Sequence, residues 1–318
     1  MVNAYTSRIN KVIDYIENNL DANFTLEELA GIAHFSKYHF HRLFQANMGE
    51  TLFRYIQRVR LERAANRLMY DLKVPITTIA LDCGFSSSAS FSNSFKESFQ
   101  ISPRDWRKRS LFSNQKQQNS NLSEKESNHA KEPATSLRYL GSQNNMQRWK
   151  LTAEDRTQII EVFNRPETPV VYVRHVGAYK QDFNLFEHLN TKLFNWAASR
   201  GILDFPDTQY LVICHDDPEI TDEEKLRISV CLSIEKEVET DGEIGEMIIP
   251  AGKYAHIKFS IKPSEIGSAW SWVYCCWLPV SGFIPDDRPS FELYPMDNSN
   301  KGIEDDIDFE ICIPVKPV

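Results

Sequence analysis

The chain has no CxxC pair and no Cys/His run at metal-ligand spacing, which excludes a zinc ribbon or a thioredoxin-like redox motif. Its six cysteines are scattered: Cys83, Cys214, Cys231, Cys275, Cys276 and Cys312. Most stand in apolar strand or helix patterns, so buried free thiols are expected. The adjacent Cys275 and Cys276 also admit a redox-sensing pair. No apolar run is long enough to span a bilayer. No signal-peptide pattern opens the chain, so a cytoplasmic protein without membrane association is expected. There is also no nucleophile triad and no phosphate-cradling loop, so neither a cofactor nor catalysis is expected. His34, His39 and His41 lie close in sequence, but no carboxylate or fourth ligand stands at useful spacing, so zinc is rejected there.

Acidity is unevenly spread. The net charge of −8 over 318 residues argues on its face against a polyanionic partner. Residues 1–112, however, hold 15 Lys and Arg against 11 Asp and Glu. The remaining 21 basic and 33 acidic residues carry the negative charge. A basic module joined to an acidic one is the consequence.

The stretch from Gly84 to Phe99, GFSSSASFSNSFKESF, organises the basic module. Phe91, Phe95 and Phe99 recur every four residues and mark a buried helical stripe. Ser88, Ala89, Ser90, Ser92 and Asn93 between them are small or amide-bearing. A helix with an apolar back and a small, uncharged front enters a groove without charge clashes. The preceding VPITTIALDCGF reads as a short helix ending at Gly84, so the pair has helix-turn-helix grammar. The same pattern stands upstream in FTLEELAGIAHFSKYHFHRLF. Leu26, Leu29, Ala30 and Phe35 match Ile76, Ile79, Ala80 and Phe85, and after one inserted residue Phe40 and Phe44 match Phe91 and Phe95. An ordinary helical bundle would also bury these phenylalanines; the duplication and the basic flanks favour DNA binding.

Residues 5–20 predict a further amphipathic helix. Thr25 with Glu28 reads as a capping box, and Ser36 as the cap of the first recognition helix. The outward residues of that helix are Lys37, Tyr38, His41 and Arg42. Arg42 is suited to a bidentate bond with guanine. Residues 50–70 predict a long helix, about 30 Å at ~1.5 Å per residue. Successive major-groove faces are ~34 Å apart, so a rigid spacer of this length holds two recognition helices on one face of double-stranded DNA. A final helix opens at Ser102-Pro103 and carries Arg104, Arg107, Lys108 and Arg109, suited to phosphate contact.

These motifs resemble the AraC/XylS family of transcription regulators over residues 5 to 110. LEELA, SKYHFHRLF, the GFSS run, the trailing FK and SPRDWRKR carry the resemblance. It implies an all-α domain with two helix-turn-helix motifs, reading DNA through Lys37, Tyr38, His41, Arg42, Ser88, Ala89, Ser90, Asn93, Arg104 and Arg107, and RNA polymerase as a partner. Where relatives usually carry Arg this chain has Asn93, whose amide still suits adenine.

From 113 to 147 the composition turns to Asn, Gln, Ser, Lys and Glu, which predicts a flexible linker. The expected units are therefore 1–112, the linker 113–147, and 148–318. The last unit contains a second duplication at an offset of 81 residues: His175 with His256, Trp196 with Trp277, Gly201 with Gly282. Each half reads strand-helix-strand-strand, so the expected fold is α+β, an antiparallel sheet with both helices on one face and a groove on the pseudo-twofold axis. At the same offset Leu211 matches Glu292. The alternation in SFELY puts Glu292 and Tyr294 on one face. Trp270, Tyr274, Trp277 and Phe283 stand in the neighbouring sequence. A carboxylate among aromatics suits a lipophilic cation, an acid or base with a raised pKa, or an ordinary edge position in solvent.

This half resembles the GyrI-like small-molecule-binding domain over about 168–316, through RHVGAY, the WLPVSG run and the FELY strand. That resemblance implies a ligand groove with an acidic residue, at Glu292. The two modules in this order resemble a Rob-like architecture. The expected function is a DNA-binding regulator with a small-molecule effector, cationic or aromatic. A Glu/Tyr-dependent hydrolase and a ligand-sequestering module stay open as alternatives.

Overall fold

The computed structural model describes residues 3–109, 158–180, 182–236, 238–296 and 305–317. The expected linker 113–147 lies outside them. Residues 3–109, the head, are helical: α1 (Asn3–Asn18), α2 (Leu26–Ile32), α3 (Lys37–Met48), α4 (Leu52–Tyr70), α5 (Ile76–Asp82), α6 (Ser88–Phe99) and α7 (103–109). The phenylalanine stripes are buried as their spacing requires: Phe40 and Phe44 in one core, Phe91 and Phe95 in the other.

Caps set the helix starts. Thr25 Oγ1 accepts from the Glu28 amide at 3.2 Å, but the box is half formed, because Glu28 Oε1 accepts from Tyr15 Oη instead. Ser36 stands at the N-cap of α3 without a side-chain bond, whereas Ser87 Oγ accepts from the Ser90 amide and caps α6. Gly84 has φ +83°, and a Cβ there would meet the Leu20 carbonyl at 2.3 Å, so the turn into α6 admits only glycine. Four arginines of α4, Arg58, Arg60, Arg63 and Arg67, bind within the protein, while Arg54 is exposed. Arg60 donates to the Leu20 and Ala22 carbonyls, and Arg58 pairs with Glu50 and Glu62. Arg67 pairs with Asp82 at the end of α5, so the spacer helix is tied to the second helix-turn-helix unit as well.

Residues 158–317, the body, form a sheet in the order β1-β6-β9-β8-β3-β4-β2-β5, with β7 on β9. The strands are β1 (Ile159–Arg165), β2 (Thr168–Val176), β3 (Tyr210–Cys214), β4 (Arg227–Ser233), β5 (Ile244–Ile249), β6 (Gly252–Ile261), β7 (Phe283–Pro285), β8 (Ser290–Tyr294) and β9 (Ile307–Pro317). The pairings are antiparallel. The two halves meet where β3 pairs β8, with Val212 opposite Glu292. Helices α8 (Phe183–Ser199) and α9 (Ile266–Trp272) pack on one face through separate cores, Leu189 and Leu193 in one, Ala269 in the other. Strands β1 and β5 were not expected. Each pairs with the other half, β1 with β6 and β5 with β2, so the repeats are interlocked.

Two expectations fail by geometry. The second helix does not run regularly to Val280: α9 passes into a π-turn at Val273–Trp277 and a 3₁₀ turn at Leu278–Val280. Pro279 has no amide to give the carbonyl four residues back, and the backbone widens ahead of it. The repeat offset of 81 holds where β4 matches β9, with Cys231 and Cys312 on one face and Val230, Leu232, Ile311 and Ile313 on the other, but it fails for β3 against β8. Leu211 and Ile213 face the core opposite the helices, with Phe291 and Leu293, while Val212 lies on the helix side. Strand side chains alternate, so an odd error exchanges the faces. The residue sharing Glu292's face is its cross-strand neighbour Val212, not Leu211.

Candidate ligand cavity and nucleic-acid interface

A cavity of about 810 Å³ opens between α8 and α9 over the β3–β8 seam, and its far side is formed by the head. Glu292 lies at its floor, 7% exposed. Its Oε1 accepts from Trp270 Nε1 and its Oε2 from Tyr294 Oη, both at 2.6 Å. Burial raises its pKa above the ordinary carboxylate value, and these two bonds oppose the rise. Among the described residues no cationic side chain pairs with it. Tyr210 and Tyr294 face each other across the seam with ring centroids at 5.6 Å. Trp270 of α9 and Tyr274 of the π-turn that follows it lie nearly parallel at 6.1 Å. The result is a buried carboxylate held by two neutral donors and walled by aromatic faces.

On the head, α3 presents exposed Tyr38 and Arg42 and half-buried His41. Lys37 pairs with Glu27, both solvated. Such a pair contributes little and can be exchanged for a phosphate. On α6, Ala89, Ser90 and Asn93 are exposed and Ser88 is half-buried.

A helix-turn-helix domain family matches residues 29–109, and a GyrI-like small-molecule-binding domain family matches residues 160–316. The chain is 38% identical over 108 residues to the transposon Tn10 TetD protein of Escherichia coli, covering 34% of this chain and 78% of that protein. The chain belongs to the AraC-type helix-turn-helix family. It is also 35% identical over 103 residues to the uncharacterized HTH-type transcriptional regulator YbfP of Bacillus subtilis. That match covers 32% of this chain and 35% of YbfP, so it spans about a third of that relative. In overall shape the chain is similar to EcmrR in its DNA complex (EcmrR-RPo), with TM-score 0.45 and 15% identity over 99% of this chain and 93% of that one. Among the described residues no helix is long and apolar enough to cross a membrane.

The AraC-type head places most expected DNA-reading residues outward. Arg104 is exposed and Arg107 is half-buried, with burial lowering its pKa. Trp106, which donates to the Ala65 carbonyl, anchors α7 in that orientation. In the GyrI-like body, Glu292, Tyr294, Trp270 and Tyr274 line the cavity as expected. Trp277 and Phe283 do not; they pack on the core beside α9. The π-turn rotates Trp277 off the Trp270–Tyr274 face. Sequence reasoning missed Tyr179, Phe186, Tyr210, Val212 and Cys214 of the first half, and Tyr70 of α4. Alternation in YLVIC would have placed Tyr210, Val212 and Cys214 together, had the offset not been odd.

None of the six cysteines, all among the described residues, is in a disulfide; Cys83, Cys231 and Cys312 are buried, and Cys214, Cys275 and Cys276 are half-buried. Cys312 stands in register opposite His256, and with Glu310 they form a group whose ligand atoms lie within 4.8 Å. Both contacts converge on His256 Nδ1, Glu310 at 2.7 Å and Cys312 at 3.3 Å. A relay between thiol and carboxylate would use both ring nitrogens, so this is no catalytic triad.

Proposed function

We propose that the chain is a DNA-binding transcription regulator whose body senses a lipophilic cation. The observation that carries it is Glu292, a buried carboxylate in an aromatic cavity that no cationic side chain among the described residues neutralises. A bound cation supplies the missing charge and gains contact with aromatic faces. It also returns the pKa of Glu292 toward its ordinary value. Two isosteric ligands test this: benzyltrimethylammonium and its neutral carbon analogue, neopentylbenzene. Glu292→Gln keeps the shape and removes the charge. In calorimetric titrations it is expected to weaken the ammonium by about 10-fold or more, since a charge-assisted contact contributes about 1.5–3 kcal/mol. The neutral analogue should change little. Equal binding of both ligands by wild type and variant would remove Glu292 from the site.

On the DNA side, α3 and α6 are the reading helices and α4 holds their spacing, so one chain addresses two major grooves. RNA polymerase is the machinery such a regulator acts on. Arg42→Ala is expected to cost about 1–3 kcal/mol of specific DNA affinity and to relax base preference at one position. Binding-site selection with the full chain, followed by titration at two salt concentrations, checks it. A loss that is uniform over all sequences would make Arg42 a phosphate contact instead.

A further inference from the structure

The contact between head and body inverts the charge balance of the parts it joins. The head is net basic and the rest of the chain net acidic. At the contact, however, the head brings carboxylates and the body brings guanidiniums. Asp14 Oδ1 accepts from Arg174 Nη2 at 2.7 Å, and its Oδ2 from Tyr172 Oη at 2.5 Å. Glu17 Oε1 pairs with Arg227 Nη1 and accepts from Tyr55 Oη at 2.8 Å. The side chains of Arg174 and Arg227 are 1% and 2% exposed. Overall attraction of a basic part for an acidic one does not produce this pattern. Arg174 takes its carboxylate from the head, and Arg227, already held by Asp216 of the body, turns its remaining nitrogen to Glu17.

Docked in this way, the head completes the cavity. Asn66, Met69 and Tyr70 of α4 line it. The Tyr70 ring lies 5.8 Å from that of Tyr274, which stacks on Trp270, the donor to Glu292. We infer that the effector site is shared: Tyr70 of the DNA-binding head is a wall of the cation site, and the Asp14–Arg174 and Glu17–Arg227 pairs decide whether that wall is in place. This inference rests on the cation-sensing role of the cavity. A ligand touching both walls binds the docked state more tightly than the undocked one, and by reciprocity it holds the head docked. The pull extends toward DNA, because Tyr55, bonded to Glu17, packs edge-on against Phe44 of α3 at 5.5 Å.

The test uses the full chain, benzyltrimethylammonium as probe, calorimetry for affinity and X-ray scattering for the radius of gyration. Tyr70→Ala is expected to weaken the probe by about fivefold or more, the low end of coupling between sites. Asp14→Arg is expected to enlarge the radius of gyration and to weaken the probe similarly, and saturating probe should shrink that variant. Adding Arg174→Glu to Asp14→Arg restores the pair with its charges exchanged, and both readouts should recover. If Tyr70→Ala and Asp14→Arg bind as wild type while Glu292→Gln does not, the cation site stands and the shared wall falls. If Glu292→Gln also binds as wild type, the cation site is lost and the shared wall with it. Expansion of the chain on adding probe would reverse the sign of the coupling and overturn the inference.

Discussion

Arg227→Ala is expected to destabilise the chain by about 3–5 kcal/mol, the usual effect of removing one partner from a buried ion pair. Arg227 reaches three acceptors at once. Its Nε and Nη2 donate to Asp216 at 2.8 and 2.6 Å, and its Nη1 meets both Glu17 and Tyr55. Without it, two carboxylates and a phenol remain in the interface with their main donor gone. His215 does not substitute: burial and the nearby Arg174 lower its pKa, so it is poorly placed to supply a compensating charge. An exposed pair gives the contrast. Lys258 and Glu161 lie 3.1 Å apart with side chains 43% and 54% exposed. Lys258→Ala should therefore leave stability nearly unchanged. Urea unfolding of both variants at neutral pH compares them. If Arg227→Ala loses as little as Lys258→Ala, the network is no stronger than a surface pair and cannot hold the head in place.

What the sequence disclosed follows the range of the interactions. The two helix-turn-helix units were legible because a helix repeats its buried face every three or four residues, and Phe40, Phe44, Phe91 and Phe95 kept that period. Gly84 was legible because its turn needs a positive φ. The face of Glu292 was legible from alternation within SFELY. The counterpart of Glu292 was not, because one residue of slip between the halves turned Leu211 to the wrong side. Trp277 was misplaced because helical periodicity does not foresee a π-turn, although Pro279 gave notice of one. The edge strands β1 and β5 were missed because their partners belong to the opposite half of the repeat.

The docking of head on body was least legible. Its bonds join Asp14 to Tyr172 and Glu17 to Arg227, 158 and 210 residues apart in sequence. No local pattern marks Asp14 or Glu17 as anything but the polar side of an amphipathic α1. The bulk charges of the two parts pointed the other way. Only the folded body shows Arg174 and the free end of Arg227 turned toward the head, with Tyr70 beside Tyr274.

The same interface predicts a pH dependence. Burial raises the pKa of Glu62 from 4.5 to about 7, and Asp216 of the body adds to the rise, while Arg58 and Arg227 oppose it. A carboxyl with a raised folded pKa binds more protons in the native state than in the unfolded state. Stability therefore falls as pH rises from about 4.5 to about 7 and is level above that. Asp217, raised by burial to about 6, acts in the same direction. Glu17 has the opposite sign. Burial would raise its pKa, but Arg227 and His215 hold it well below 4.5, so its contribution is lost only as the solution becomes strongly acidic. The maximum of stability is thus expected on the acid side of neutrality. Glu62→Gln keeps an acceptor for Arg58, which also retains Glu50 at 2.8 Å. It should raise stability at pH 8 by on the order of 3 kcal/mol, the linkage value of the shift, and flatten the profile between pH 5 and 8. Thermal unfolding of both proteins across that range measures it. Parallel profiles would show that Glu62 stays charged and solvated in the native protein. A flattened profile would mean that burial makes the ionisation of Glu62 costly in the native protein as pH rises, with Asp216 of the body adding to that cost.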